Sequence, residues 1–390
     1  MFKFSLIYIG SFCFVLSVLS FFNIIYSYYF EIFNNIEVYS YTLLISLFFS
    51  SLFFLKKNKF KKISIYEKII SVVLGYFVLP GIISIPYYFG LNYLTFVDSY
   101  FEAISGFTST GFSVFDNVKH LDQSLLLWRS TSQWFGGLYF LISILFLIDI
   151  YDENYKKILT NFISLDVTEI IKQSIKILLV YIIITFSLFI IYKLINLRSF
   201  DAFNLSMTVI SSGGFLIVND IGEILQSDFQ IYVFSLSMLV SFFGILLPYN
   251  ILFLRKKDLF VFTEDYYLLI YLFCLIGIFF IFFNQFNNFS ITLFSLISSV
   301  SNIGFSFNTY NQNNFIFFIL VIIGGSLVST SSGLRFFKIF LLTKFSLNEL
   351  ISHSKPKHIL LNKVQFSKVK TDINDINKYF FGLIIFILSL

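Results

Sequence analysis

Three segments rich in glycine, serine and threonine hold the residue types best placed to do chemistry in this chain. They are Phe101-EAISGFTST-Gly111-Phe112, Phe203-NLSMTVISS-Gly213-Gly214 and Phe294-SLISSVSNI-Gly304-Phe305. In each, a Phe precedes a Gly by ten residues, and the glycines recur at intervals of 102 and 91 residues. No nucleophile and base converge in them, so what they offer is main-chain oxygen. A dehydrated alkali cation must exchange its water shell for several oxygens, and closely spaced carbonyls in an extended loop supply them. Glycine permits the backbone angles and close approach that a Cβ would obstruct, and small Ser and Thr neighbours leave room for it. The competing reading of the same clusters is helix-to-helix packing by small residues.

Such loops have to be held by elements that cross a membrane. The chain is 57% hydrophobic, 21% aromatic and 13% charged, with 57 Phe among 390 residues, more than a water-soluble core could hide. Apolar stretches of about 20 residues recur, and backbone in lipid must satisfy its own hydrogen bonds, so helices are expected and period-two barrel alternation is absent. The fold class is therefore all-α, a polytopic helical membrane protein. Hydropathy places spans near Phe4–Tyr29, Tyr39–Leu55, Ile65–Phe89, Leu125–Ile150, Ile175–Ile195, Phe229–Leu254, Tyr266–Phe283 and Phe315–Leu342, with a ninth starting at Tyr379. Met1–Phe30 is too long, and lacks the small-residue cleavage site, for a signal peptide.

Phe96–Phe107, Phe200–Ile210 and Ile291–Val300 are too short to cross, and each precedes one of the three clusters. They read as re-entrant half-helices whose carbonyl ends favour a cation. Lys56, Lys57, Lys59, Lys61 and Lys62 follow the second span, Arg255, Lys256 and Lys257 follow the sixth, and residues 344–378 carry seven lysines. The opposite loops carry Glu31, Glu37, Asp116, Asp122, Asp220, Glu223 and Asp228. The lysine-rich side is expected to be cytoplasmic, with the N-terminus inside and the half-helices entering from outside. The net charge of +5 thus belongs to membrane topology, and nucleic acid is not an expected partner.

The run SLLLWRSTSQWFGG at residues 124–137, following FEAISGFTSTGF, resembles the first pore unit of Trk-type potassium transporters of the Trk/Ktr/HKT superfamily. IIGGSLVSTSSGLRFFKIFLL at residues 322–342 resembles that family's glycine-rich break in the inner helix of the third unit. The resemblance implies filter carbonyls from Ser109, Thr110 and Gly111, from Ser211, Ser212 and Gly213, and from Asn302, Ile303 and Gly304. It implies a gating loop at Gly324, Gly325, Ser329, Thr330, Ser331, Ser332 and Gly333, obstructing the pathway until a cytoplasmic partner moves it. Glycine at each filter position resembles potassium-preferring members. The resemblance also implies potassium as the transported ion, a homodimer surrounded by lipid, a cytoplasmic nucleotide-binding regulatory subunit, and a bacterial inner membrane.

The organisation that follows is two N-terminal helices with a basic loop (residues 1–62), first (63–155), second (156–258) and third (259–345) pore units, a basic linker (346–378), and the start of a fourth unit (379–390). Four units surround the family's pathway, so the chain is expected to be a truncated or partial form of such a protein. A vestigial, non-conducting membrane protein and a carrier of another solute are the competing readings; an enzyme is not expected. Arg335 and Lys338 either face the ion path or snorkel to the inner interface. Arg129 either hydrogen-bonds the filter loop, pairs with Glu102, or is solvated at the interface. Trp128 and Trp134 read as interfacial belt. His120, His353 and His358 lie in expected loops, and Cys13 and Cys274 in apolar runs, so no metal centre or bound cofactor is expected.

Overall fold

The computed structural model describes residues 2–54, 64–147, 167–245, 248, 252, 263–282, 289–307, 315–326, 328–354, 363–366 and 369–372. The fold is helical: α1 (Phe2–Tyr29), α2 (Phe33–Phe54), α3 (Ile65–Ile83), α4 (Ile85–Gly90), α5 (Phe96–Phe107), α6 (Gln123–Phe146) and α7 (Val167–Leu194). It continues with α8 (Ser199–Ser211), α9 (Asp228–Phe242), α10 (Thr263–Phe282), α11 (Phe289–Ser301), α12 (Phe315–Ile323) and α13 (Phe336–Ser354). A short antiparallel hairpin, β1 (Lys363–Phe366) with β2 (Val369–Asp372), pairs Lys363 with Asp372 and Phe366 with Val369. That hairpin, and the run of α13 to Ser354, give regular structure to part of the stretch read as a basic linker.

Ile7–Tyr29, Ile65–Gly90 and Gln173–Leu194 are each long and apolar enough to cross a membrane, and the chain is a multi-pass membrane protein. Two buried serines of the first span bond back into their own helix, as suits backbone in lipid: Ser17 donates to the Phe14 carbonyl at 2.7 Å and Ser20 to that of Leu16 at 3.1 Å. In α3, Pro80 lies inside the helix and Ser84 ends it, donating to the Gly81 carbonyl at 2.8 Å. α4 then turns toward the first half-helix. α6 is as long as a span but polar in its middle, and Arg129, Ser130, Thr131, Ser132 and Gln133 are all buried against protein.

The half-helices pack between spans in a repeating way. α5 lies against α3 and α6; α8 against α7, α6 and α9; α11 against α9 and α12. The inner helix of one unit thus packs on the half-helix of the next, α6 on α8 and α9 on α11. Gly136 lets α6 approach α5 this closely, because a Cβ there would collide with the Phe107 backbone. Trp128 and Trp134 are buried, not interfacial: the Trp128 indole donates to the Ile83 carbonyl at 3.0 Å and that of Trp134 to the Thr185 hydroxyl at 2.9 Å. The expected Ile150 end of the fourth span, the Lys56–Lys62 and Arg255–Lys257 clusters, His358 and residues 379–390 lie outside the described residues.

Candidate functional site: three loops and a broken helix

Each half-helix ends with the same pair of reversed hydrogen bonds. Ser109, Ser212 and Asn302 donate their N–H to the carbonyls of Gly106, Val209 and Ser299, three residues back. Thr110, Gly213 and Ile303 donate to Ser105, Thr208 and Ser298, five residues back. The first member of each set is left-handed, with φ of 54° at Ser109, 47° at Ser212 and 58° at Asn302. Two residues on comes a glycine with positive φ: 82° at Gly111, 81° at Gly214 and 80° at Gly304.

This sets the register of the repeat, and it differs from the sequence alignment in the second unit. The counterpart of Gly111 and Gly304 is Gly214, so the equivalent loops are Ser109–Phe112, Ser212–Phe215 and Asn302–Phe305. Gly213 occupies the position of Thr110 and Ile303, and Ser211 is still the last residue of α8. The preceding Phe misleads there, since Phe101 and Phe294 stand ten residues before their positive-φ glycine while Phe203 stands eleven before Gly214.

The loops meet one another. A Cβ on Gly111 would lie 2.9 Å from the Gly213 carbonyl oxygen and 3.4 Å from the Gly214 Cα. A Cβ on Gly214 would lie 2.6 Å from the Ile303 oxygen and 3.5 Å from the Gly111 Cα. Each of these glycines therefore faces the carbonyl preceding the matching glycine of the next unit. Gly304 has no such neighbour within 4 Å among the described residues.

Side chains behind the loops fix them. Arg129 of α6 is 2% exposed and donates from Nε to Glu102 Oε1 at 2.8 Å, from Nη2 to Ser113 Oγ at 3.0 Å and from Nη1 to the Leu216 carbonyl at 3.0 Å. Its guanidinium lies 4.2 Å from the Phe215 ring centroid, and Glu102, fully buried, also accepts the Val114 N–H at 2.9 Å. Arg129 thus both pairs with Glu102 and binds the loops, spanning units one and two. Gln133, one turn further along α6, donates from Nε2 to the Gly213 carbonyl at 2.5 Å and accepts the Phe215 N–H at 3.3 Å. The reading from residues missed Gln133; its signal was a long polar side chain in mid-span, where burial demands a partner. Ser105 and Ser298 donate to the carbonyls of Phe112 and Phe305, at 2.5 and 2.8 Å. Beyond the first and second loops, Asn219 bonds the Val118 N–H and Asn117, and Lys119 meets Glu223 at 2.6 Å.

Beneath the second loop lies the broken helix. α12 stops at Ile323, Gly324 and Gly333 take φ of 68° and 93°, and α13 begins at Phe336. The intervening backbone pairs with the end of α9: Ser326 N–H to the Phe242 carbonyl at 3.0 Å, Ser331 N–H to that of Ser241 at 3.2 Å, and Ile245 N–H to that of Val328 at 2.9 Å. Thr330 donates its hydroxyl to the Ile210 carbonyl at 2.7 Å. Arg335 turns Nη1 back to the carbonyls of Ser326 at 3.0 Å, Ser329 at 3.3 Å and Ser331 at 2.6 Å. Lys338 sits half-buried in the first turn of α13.

The sequence of residues 36–253, more than half of the chain, matches the TrkH family, described as cation transport protein. The chain belongs to the TrkH family. A cation transporter of Methanocaldococcus jannaschii is 29% identical over 201 residues, covering 48% of this chain and 41% of that protein. The Trk system potassium uptake protein TrkH of Escherichia coli is 36% identical over 73 residues, 18% of this chain and 15% of that one. The matched segments thus span less than half the length of these relatives. The crystal structure of the potassium transporter TrkH from Vibrio parahaemolyticus superposes with a TM-score of 0.82 at 20% identity, covering 100% of this chain and 84% of that one. That likeness establishes a shared TrkH fold.

Proposed function

We propose that this chain forms the pore wall of a potassium-translocating membrane subunit, with backbone carbonyls as its filter and the helix break as its gate. The observation carrying this reading is the contact of equivalent loops, in which Gly111 faces the Gly213 oxygen and Gly214 faces the Ile303 oxygen. Carbonyls brought together at three equivalent bends can replace a hydration shell without any acidic residue. The filter set is accordingly Ser109, Thr110 and Gly111, Ser212, Gly213 and Gly214, and Asn302, Ile303 and Gly304, with Ser211 withdrawn into the helix. Potassium is the substrate rather than a resident cofactor, and the family's membership supports a transporter rather than an enzyme.

Gly304, which meets no such neighbour among the described residues, is where a fourth, equivalent wall would close the ring. The break at Gly324–Gly333 would obstruct the path below until a cytoplasmic nucleotide-binding subunit displaced it, and the assembly would be a homodimer in a bacterial inner membrane with the N-terminus cytoplasmic. Arg129, held between Glu102 and the second loop, would tune the filter by fixing its shape rather than by facing the ion.

The test is rescue of potassium-uptake-deficient cells by the full-length protein. Gly111→Ala, Gly214→Ala and Gly304→Ala each abolish growth at low potassium or relax preference over sodium. Unchanged rescue and ion preference in all three would sink the filter reading.

A further inference from the structure

A cavity of about 490 Å³ opens between α7 and α9 and ends against the helix break. Tyr181 and Ser187 of α7, Leu236 and Val240 of α9, and Ser329 and Thr330 of the break form its walls. Tyr181, Ile184 and Ser187 fall at the centre of the apolar segment Gln173–Leu194, so the opening lies at mid-membrane depth and not at the headgroups. The α7 residues between them, Ile182, Ile183 and Phe186, are exposed, as expected of a face that lipid bathes.

The cavity makes no polar demand. The Tyr181 hydroxyl donates to the Trp134 carbonyl at 3.2 Å, that of Ser187 to Ile184 at 2.7 Å, that of Ser329 to Ser326 at 2.8 Å, and that of Thr330 to Ile210 at 2.7 Å. With those donors taken and the rest of the wall largely aliphatic and aromatic, water gains few partners there. An apolar chain loses none. At this depth the molecules at the mouth are lipid tails.

We propose that an acyl chain of a membrane phospholipid enters this cavity and braces the break from behind. Ser329 and Thr330 form the inner wall, and Gly244 and Ile245 stand beside them, so the occupant backs the Ile245 to Val328 hydrogen bond that ties the break to the end of α9. While the chain is in place the break cannot retreat between α7 and α9; its departure makes that space available. This regulatory half rests on the gate reading above, whereas the lipid site itself does not.

Trp134 is a native reporter, its ring 5.1 Å from that of Tyr181 in the cavity wall. The full chain is reconstituted in vesicles of dioleoyl phosphatidylcholine or of the same lipid brominated across its double bonds, and tryptophan emission is compared. Ser187→Phe and Val240→Phe, each filling the cavity with a ring, serve as controls, judged by unchanged helical circular dichroism. The expected result is loss of emission in brominated vesicles for the native chain, and clearly less loss in whichever filled variant folds. Equal quenching of native and filled proteins overturns the lipid site, whether a second copy covers the mouth or the protein closes the cavity itself. In the full-length protein, quenching as expected with cation flux identical in native and filled proteins overturns the bracing of the gate alone.

Discussion

Ser212, the left-handed residue of the second loop, donates its hydroxyl to the carbonyl of Thr330 in the helix break at 3.1 Å. Thr330 answers with its own hydroxyl on the Ile210 carbonyl at 2.7 Å, so the second half-helix and the break are tied by two neutral hydrogen bonds. Each is worth about 1 kcal/mol net. On the proposed gate reading, that is strong enough to set a resting position and weak enough for a two-state element to give up.

Thr330→Val removes one of these ties while keeping the shape. Loss of about 1 kcal/mol shifts the balance toward the displaced break by roughly fivefold. Single-channel or flux recordings on the full-length protein should show that increase in open occupancy, with ion preference unchanged because no loop glycine is touched.

Arg335 is the main internal clasp of the break, with bonds to the carbonyls of Ser326, Ser329 and Ser331. Charge-assisted bonds are worth about 1.5–3 kcal/mol each, and burial without them costs as much again. Arg335→Gln should lower the thermal midpoint and expose the 326–333 segment to proteolysis. Arg335→Lys should restore part of the loss, since the three carbonyls converge on one nitrogen, Nη1, and an ammonium also offers three donors from a single nitrogen.

Glu102 and Arg129 meet at 2.8 Å with 0% and 2% exposure. Removing one partner of such a pair costs about 3–5 kcal/mol because the other charge is left buried, and removing both costs less than the sum. Glu102→Gln and Arg129→Met should each be strongly destabilising in a thermal melt, and the double variant should recover part of the loss. Additive losses would mean that the two do not act as a pair.

The half-helices were legible because length alone separates them from spans: Phe96–Phe107 falls on the helix read from hydropathy, and Ser199–Ser211 and Phe289–Ser301 extend the expected ranges by a residue or two. The register of the second loop was not legible. Gly213 and Gly214 are adjacent, and only the backbone distinguishes the one with φ of 81° from its neighbour. Phe203 reinforces the other register, since it stands ten residues before Gly213, the spacing of Phe101 to Gly111, but eleven before Gly214. The partners of Arg335 were hidden for a different reason. The sequence places a cation after a glycine break, but which carbonyls it meets depends on how the break folds back on α9.

The register makes an ordering. Gly111→Ala and Gly214→Ala combine a left-handed backbone, costing about 1–2 kcal/mol for a non-glycine residue, with a Cβ pressed on a neighbouring backbone. Gly304→Ala pays the backbone term with no neighbour within 4 Å among the described residues. Thermal melts should therefore rank Gly304→Ala as the mildest of the three, and a larger loss there than at Gly214 would contradict the assigned loop geometry.

The coordination claim is tested most directly by the thermal midpoint of the purified chain in potassium, sodium and lithium chloride at equal ionic strength. A ligand at about 100 times its dissociation constant stabilises the fold that binds it by about 2.7 kcal/mol. The midpoint should be highest in potassium, and that advantage should vanish in Gly214→Ala. Equal midpoints in the three salts, or an undiminished potassium advantage in Gly214→Ala, would contradict cation coordination by these loops.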